Sequence, residues 1–78
     1  MSEKKINTKL TLKQKITLEY IDWFIKEHGY SPTYREIGEE MGIDVAAAFK
    51  RVTNLVIKGY VSEAPGKFRT LKVIKWYD

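Results

Sequence analysis

The 78-residue chain contains no cysteine. That absence excludes a disulfide framework and any thiolate metal site. Its single histidine, His28, cannot build a metal centre alone. No apolar run approaches the ~20 residues a membrane-spanning helix needs. The opening Met1-Ser-Glu-Lys-Lys-Ile has no apolar stretch of signal-peptide length. A reduced, cytoplasmic setting without a membrane partner is therefore expected. The five glycines are scattered, so there is no glycine-rich phosphate loop. Ser31, Ser62 and His28 lie on separate predicted elements with no triad pattern, and the adjacent Glu39 and Glu40 point apart on a helix. No enzyme activity, cofactor or metal is expected.

What is present is an ordinary globular composition, 44% hydrophobic and 31% charged, in a length that allows one modest core. Residues 1–9 are polar and read as a flexible basic arm. Residues 10–78 read as one domain, with no repeat, linker or low-complexity segment.

Residues 29–42 are the most informative stretch: Gly29-Tyr-Ser-Pro-Thr-Tyr-Arg-Glu-Ile-Gly-Glu-Glu-Met-Gly42. Pro32 lacks an N–H and holds Ser31 in extended geometry, so no helix runs through them. Thr33 and Glu36 have the spacing of a capping box, which starts a short helix over about Tyr34–Met41. Glycine stops flank it on both sides. Upstream, Thr11 and Gln14 form a second capping signature, and the helix predicted from them runs Leu12–His28. Its polar stripe is Lys15, Glu19, Asp22 and Lys26. Its apolar arc (Leu12, Ile16, Leu18, Tyr20, Ile21, Trp23, Phe24, Ile25) is wider than a three-helix core covers. The C-terminal tail or a second subunit is expected to pack there, with Trp23 and Trp76 burying the surplus.

Asp44 is the expected N-cap of a third helix, about Val45–Lys58, with Ala48, Val52 and Leu55 on its core side. After Gly59 the pattern turns β-like. Tyr60–Ala64 and Phe68–Ile74 nearly alternate, and Pro65-Gly66 between them is a turn signal. The fold class is mainly α with a small β-hairpin: a winged helix-turn-helix, three helices followed by a two-stranded wing.

The formal net charge is +4, and its distribution is uneven. Positive surpluses fall on the arm (Lys4, Lys5, Lys9), the third helix (Lys50, Arg51, Lys58) and the C-terminal segment (Lys67, Arg69, Lys72, Lys75). Residues 29–42 are net negative. A winged helix turns those basic parts toward phosphate, although a generic basic surface has the same charge.

The chain resembles the N-terminal DNA-binding domain of LexA-type repressors. The resemblance begins at Leu10-Thr11-x-x-Gln14. It continues through Gly29-Tyr-Ser-Pro-Thr-Tyr-Arg-Glu-Ile-Gly38 and ends through Leu55-x-x-Lys58-Gly59-Tyr60-Val61 and Arg69-Thr70-Leu71. It departs from the family at the turn into the third helix. Gly42-Ile-Asp-Val-Ala-Ala-Ala replaces a turn that usually carries Ser and Asn, so base recognition does not carry over. LexA repressors continue into a self-cleaving peptidase domain. This chain is expected to lack it, and so not to self-cleave, like small regulators of phages and other mobile elements.

The resemblance places base contacts on Val45, Ala46, Phe49, Lys50 and Thr53. Lys50 can donate to guanine, and the Thr53 hydroxyl to base or phosphate. Val45, Ala46 and Phe49 can only pack on thymine methyls, so specificity should be weak or methyl-dependent. For Phe49, core-edge packing is the competing reading. Thr33, Tyr34 and Arg35 are the phosphate candidates. Against this, Thr33 can be only a cap, Tyr34 can pack on Pro32, and Arg35 can pair with Glu39. Lys67 and Arg69 on the wing reach backbone or minor groove, or are simply solvated. Double-stranded DNA is the expected partner, bound by a homodimer on paired half-sites. The alternative is a protein-interaction module that uses Val45, Ala46, Phe49, the helix 1 arc and Trp76-Tyr77 against a host regulatory protein.

Overall fold

The computed structural model describes residues 9–64, 66, 67 and 69–76. Three helices, α1 (Leu12–His28), α2 (Tyr34–Met41) and α3 (Val45–Ile57), precede two short strands, β1 (Val61–Ser62) and β2 (Lys72–Val73). Both capping boxes form. Gln14 N–H donates to Thr11 Oγ1 at 3.1 Å, and Thr11 N–H to Gln14 Oε1 at 3.0 Å. At α2, Glu36 N–H donates to Thr33 Oγ1 at 3.1 Å, and Thr33 N–H to Glu36 Oε1 at 2.9 Å. Each box satisfies two donors that a helix start would otherwise leave unpaired. Asp44 Oδ1 accepts from Ala47 N–H at 2.7 Å and caps α3. That helix ends one residue earlier than expected, with Lys58 as its C-cap.

Leu18 and Ile21 from α1, Ile37 from α2, and Ala48, Val52 and Leu55 from α3 are fully buried together with Val61 of β1. Tyr60 and Leu71 close the cluster from the hairpin side. Burial of each large aliphatic side chain here is worth roughly 1.5–3 kcal/mol, so these few residues supply most of the driving force.

Gly38 makes the helix-turn-helix close. A Cβ on it would lie 2.7 Å from the Ile43 carbonyl oxygen. The turn instead folds tightly over α2, and Ile43 N–H donates to the Gly38 carbonyl at 2.9 Å. Gly42 turns the chain there with φ +73°, a left-handed conformation that glycine adopts without steric cost.

The hairpin ladder is shorter than its sequence pattern. It is antiparallel, with Val61 opposite Val73 and Ser62 opposite Lys72. Beyond it a side chain takes over from the backbone: Ala64 N–H donates to Thr70 Oγ1, which donates to the Ala64 carbonyl. Pro65 and Phe68 lie outside the described residues, as do Lys4, Lys5 and Tyr77.

β2 packs against α1, so the C-terminal segment does reach that helix. It does not cover the whole arc. Trp23 stays 53% exposed and Trp76 47%, and Leu12 and Ile16 face solvent. The polar stripe is also less clean than its spacing: Lys15 and Asp22 are half-buried, while Gln14 and Thr17 are buried outright. The hydrogen bonds of these buried residues explain the shift. Gln14 Oε1 accepts from Lys58 Nζ at 2.9 Å, and Thr17 Oγ1 donates to the Lys13 carbonyl at 2.8 Å. Lys58 Nζ also donates to the Lys9 carbonyl at 2.6 Å and fastens the end of the arm to α3. No helix among the described residues is long and apolar enough to cross a membrane.

Candidate nucleic-acid interface

The N-termini of α2 and α3 and the wing meet around an open groove of about 370 Å³. Pro32, Thr33, Tyr34 and Arg35 line one side, Val45 lies at the start of α3, and Lys67, Arg69, Thr70 and Leu71 line the wing side. Arg35, Lys67 and, further along α3, Lys50 are exposed. Among the described residues, none of these three makes an ion pair or side-chain hydrogen bond. The Arg35–Glu39 pair allowed by their spacing is not formed. Among the described residues, nothing competes for these three cations.

On α3, Val45, Ala46, Phe49 and Lys50 point outward, with Val45 41% and Phe49 48% exposed. Phe49 is thus not a core residue. It leans on Tyr34, edge to face, with ring centroids 5.2 Å apart and planes at 79°. Thr53 differs from its expected role. It is half-buried, and its Oγ1 is closed to solvent and reaches no partner among the described residues. Its hydroxyl is not presented to a groove.

The Tyr34 hydroxyl is also committed. It donates to Glu63 Oε1 from the wing, a short contact across 29 positions of sequence. Burial first, and then the Glu63 carboxylate, push its ionisation well above the ordinary tyrosine range. Tyr34 therefore stays a neutral donor. The expectations of phosphate contact and of packing on Pro32 both missed this bond. No sequence signal marks it, because Glu63 and Tyr34 belong to distant elements.

Arg69 departs most from expectation. Instead of projecting from the wing, it turns back onto the start of α2. Its Nη1 donates to Glu36 Oε1 at 3.1 Å and its Nη2 to Glu36 Oε2 at 3.2 Å. Nη1 also donates to the Ser31 carbonyl at 3.0 Å, and the guanidinium lies over the Tyr30 ring, 4.6 Å from its centroid. Arg69 has φ +53°, an uncommon value for a residue with a side chain. The turn that aims it inward is thus part of the clamp. Glu36 serves α2 twice, as cap and as the clamp's carboxylate. The Thr33 N–H, and secondly Arg69, hold its carboxyl below the ordinary range. Ser31, buried beside it, accepts the Leu71 N–H at 3.2 Å and so anchors the wing's second strand.

A helix-turn-helix whose second helix is exposed and basic, followed by a wing clamped beside it, defines the winged helix-turn-helix class. Residues 7–70 match the family described as LexA DNA binding domain. The chain belongs to that family. Relatives called LexA repressor include those of Leptospira interrogans and Oleidesulfovibrio alaskensis, each 39% identical over 66 residues, and that of Thermosipho africanus, 33% identical over 66. The alignments cover 85% of this chain but only 32–33% of those proteins, so the chain spans about a third of their length.

Proposed function

We propose that this chain binds double-stranded DNA with α3 in the major groove and acts as a transcriptional regulator of the repressor kind. The observation that carries this reading is the pair of exposed cations Arg35 and Lys67 lining the groove at the starts of α2 and α3, with Lys50 exposed further along α3. Lys50 donates to a guanine edge, while Val45, Ala46 and Phe49 meet apolar base edges. Arg35, Lys67 and the first turn of α2 at Thr33 hold phosphates. Arg69 and Thr53 have no place in this contact set, because the Arg69 guanidinium is spent on Glu36 and Ser31 and the Thr53 hydroxyl is closed to solvent. One module of this size covers little DNA, so two copies on paired half-sites are the working arrangement.

The test is selection of duplexes from a random-sequence pool at two salt concentrations. An enriched motif is expected, with affinity falling steeply as salt rises. Replacing Arg35 and Lys50 together with alanine should abolish retention with the circular dichroism spectrum unchanged. A double variant that binds as well as its parent refutes the groove assignment of α3. The exposed Val45 and Phe49 favour a second reading, a module that docks on another protein. Absent or unenriched binding, lost in modest salt, would move the weight there.

A further inference from the structure

Phe49 is an unusual residue to find half-exposed on a helix meant for a groove, because it has no polar atom with which to read a base. Its surroundings give it a role. The Tyr34 ring packs against it nearly perpendicular, with centroids 5.2 Å apart. The Tyr34 hydroxyl is held by Glu63 at the end of β1. While that bond lasts, Tyr34 cannot swing away, and Phe49 keeps its aromatic neighbour. Three elements, α2, α3 and the wing, thus converge to fix one exposed aromatic ring. A ring held in place loses little freedom on binding, which is how a binding site favours contact with its chosen partner.

The carboxylate is informative for a second reason. Glu63 places a negative charge beside a surface that must meet phosphate, and it occupies the hydroxyl that would otherwise donate to one. Both effects weaken sequence-independent binding, so a compensating role is called for. Thymine is the base that offers a methyl group in the major groove, and a fixed aromatic face suits that methyl.

Resting on the DNA-binding reading above, we infer that Tyr34 and Glu63 are positioning residues that hold Phe49 as a reader of thymine methyl groups. A wing carboxylate that touches no base thereby sets the apolar part of the specificity.

The experiment takes the duplex selected from the random pool and resynthesises it with deoxyuridine at each thymidine, which removes the methyl and little else. Affinities for both duplexes are measured with the parent chain and with Phe49→Ala, Tyr34→Phe, Glu63→Ala and Glu63→Gln, each checked for an unchanged thermal transition. The parent should bind the deoxyuridine duplex about fourfold more weakly for each contacted methyl lost, the factor expected for burying one such group. Phe49→Ala should bind both duplexes alike. Tyr34→Phe and Glu63→Ala should lose most of the preference. Glu63→Gln keeps an acceptor for the hydroxyl, so it should retain the preference while binding both duplexes more tightly.

A parent chain indifferent to the methyls overturns the inference. So does Tyr34→Phe if it keeps the full preference and weakens both duplexes equally, the signature of a phosphate contact. Retention of no duplex at all overturns the DNA-binding reading itself, a different result from binding without discrimination.

Discussion

Arg69→Ala removes the clamp between the wing and the helix-turn-helix. Three interactions go with it, and their sizes can be worked from the geometry. The bidentate contact with Glu36 is about one-third exposed on both sides, so solvent screens it to about 0.5–1 kcal/mol. The bond to the Ser31 carbonyl contributes about 1 kcal/mol. Stacking on the half-exposed Tyr30 ring adds about 0.5–1 kcal/mol. Because the three share one guanidinium they do not add fully, and a loss of about 2 kcal/mol is expected. In a domain of this size that lowers the thermal midpoint by about 8–16 °C. The backbone supplies an internal control. Arg69 holds φ +53°, which alanine tolerates poorly and glycine freely. Arg69→Gly should therefore be about 1 kcal/mol more stable than Arg69→Ala. Urea unfolding followed by circular dichroism measures both variants, and Glu36→Gln in a double-mutant cycle isolates the pair. The reasoning fails if Arg69→Ala is as stable as the parent while the salt dependence of DNA binding drops by about one phosphate contact. That result would place the guanidinium on the DNA.

Gly38→Val should destabilise the fold strongly, because its Cβ alone meets the Ile43 carbonyl at 2.7 Å and the turn has no slack; a urea midpoint equal to the parent's would refute the close approach. Glu36 has a carboxyl held below its ordinary range, so its contribution is present above that range and lost as pH falls through the depressed value. The stability gap between the parent and Glu36→Gln should accordingly shrink in acid, as read from urea midpoints across pH. Thr33→Ala should cost about 1 kcal/mol in thermal unfolding through loss of the α2 cap. A larger effect on DNA affinity than on stability would give Thr33 a phosphate role as well.

Much of the molecule was legible in local sequence, for local reasons. Capping boxes span four residues and helix stops need one glycine, so α1 and α2 could be bounded without knowing their neighbours. Ala48, Val52 and Leu55 recur at helical spacing, and the structure buries all three. The candidate site was legible only in outline. Lys50, Arg35 and Lys67 face outward as a basic reading requires. Arg69, Tyr34 and Thr53 do not behave as isolated residues, because their polar atoms face partners or packing from other elements.

The order of elements, the starts and stops of α1 and α2, the apolar stripe of α3 and the membership of the second-helix motif are readable in the sequence, since each depends on contacts within a few residues. Which charges find partners depends on the fold. Arg69 and Lys67 are neighbours on the wing with the same sign, yet one is spent on Glu36, 33 positions away, and the other is left exposed. Tyr34 and Glu63 likewise meet across 29 positions. No periodicity encodes such pairs. They exist because the core brings the wing against α2 and so sets donors and carboxylates from distant parts of the chain side by side.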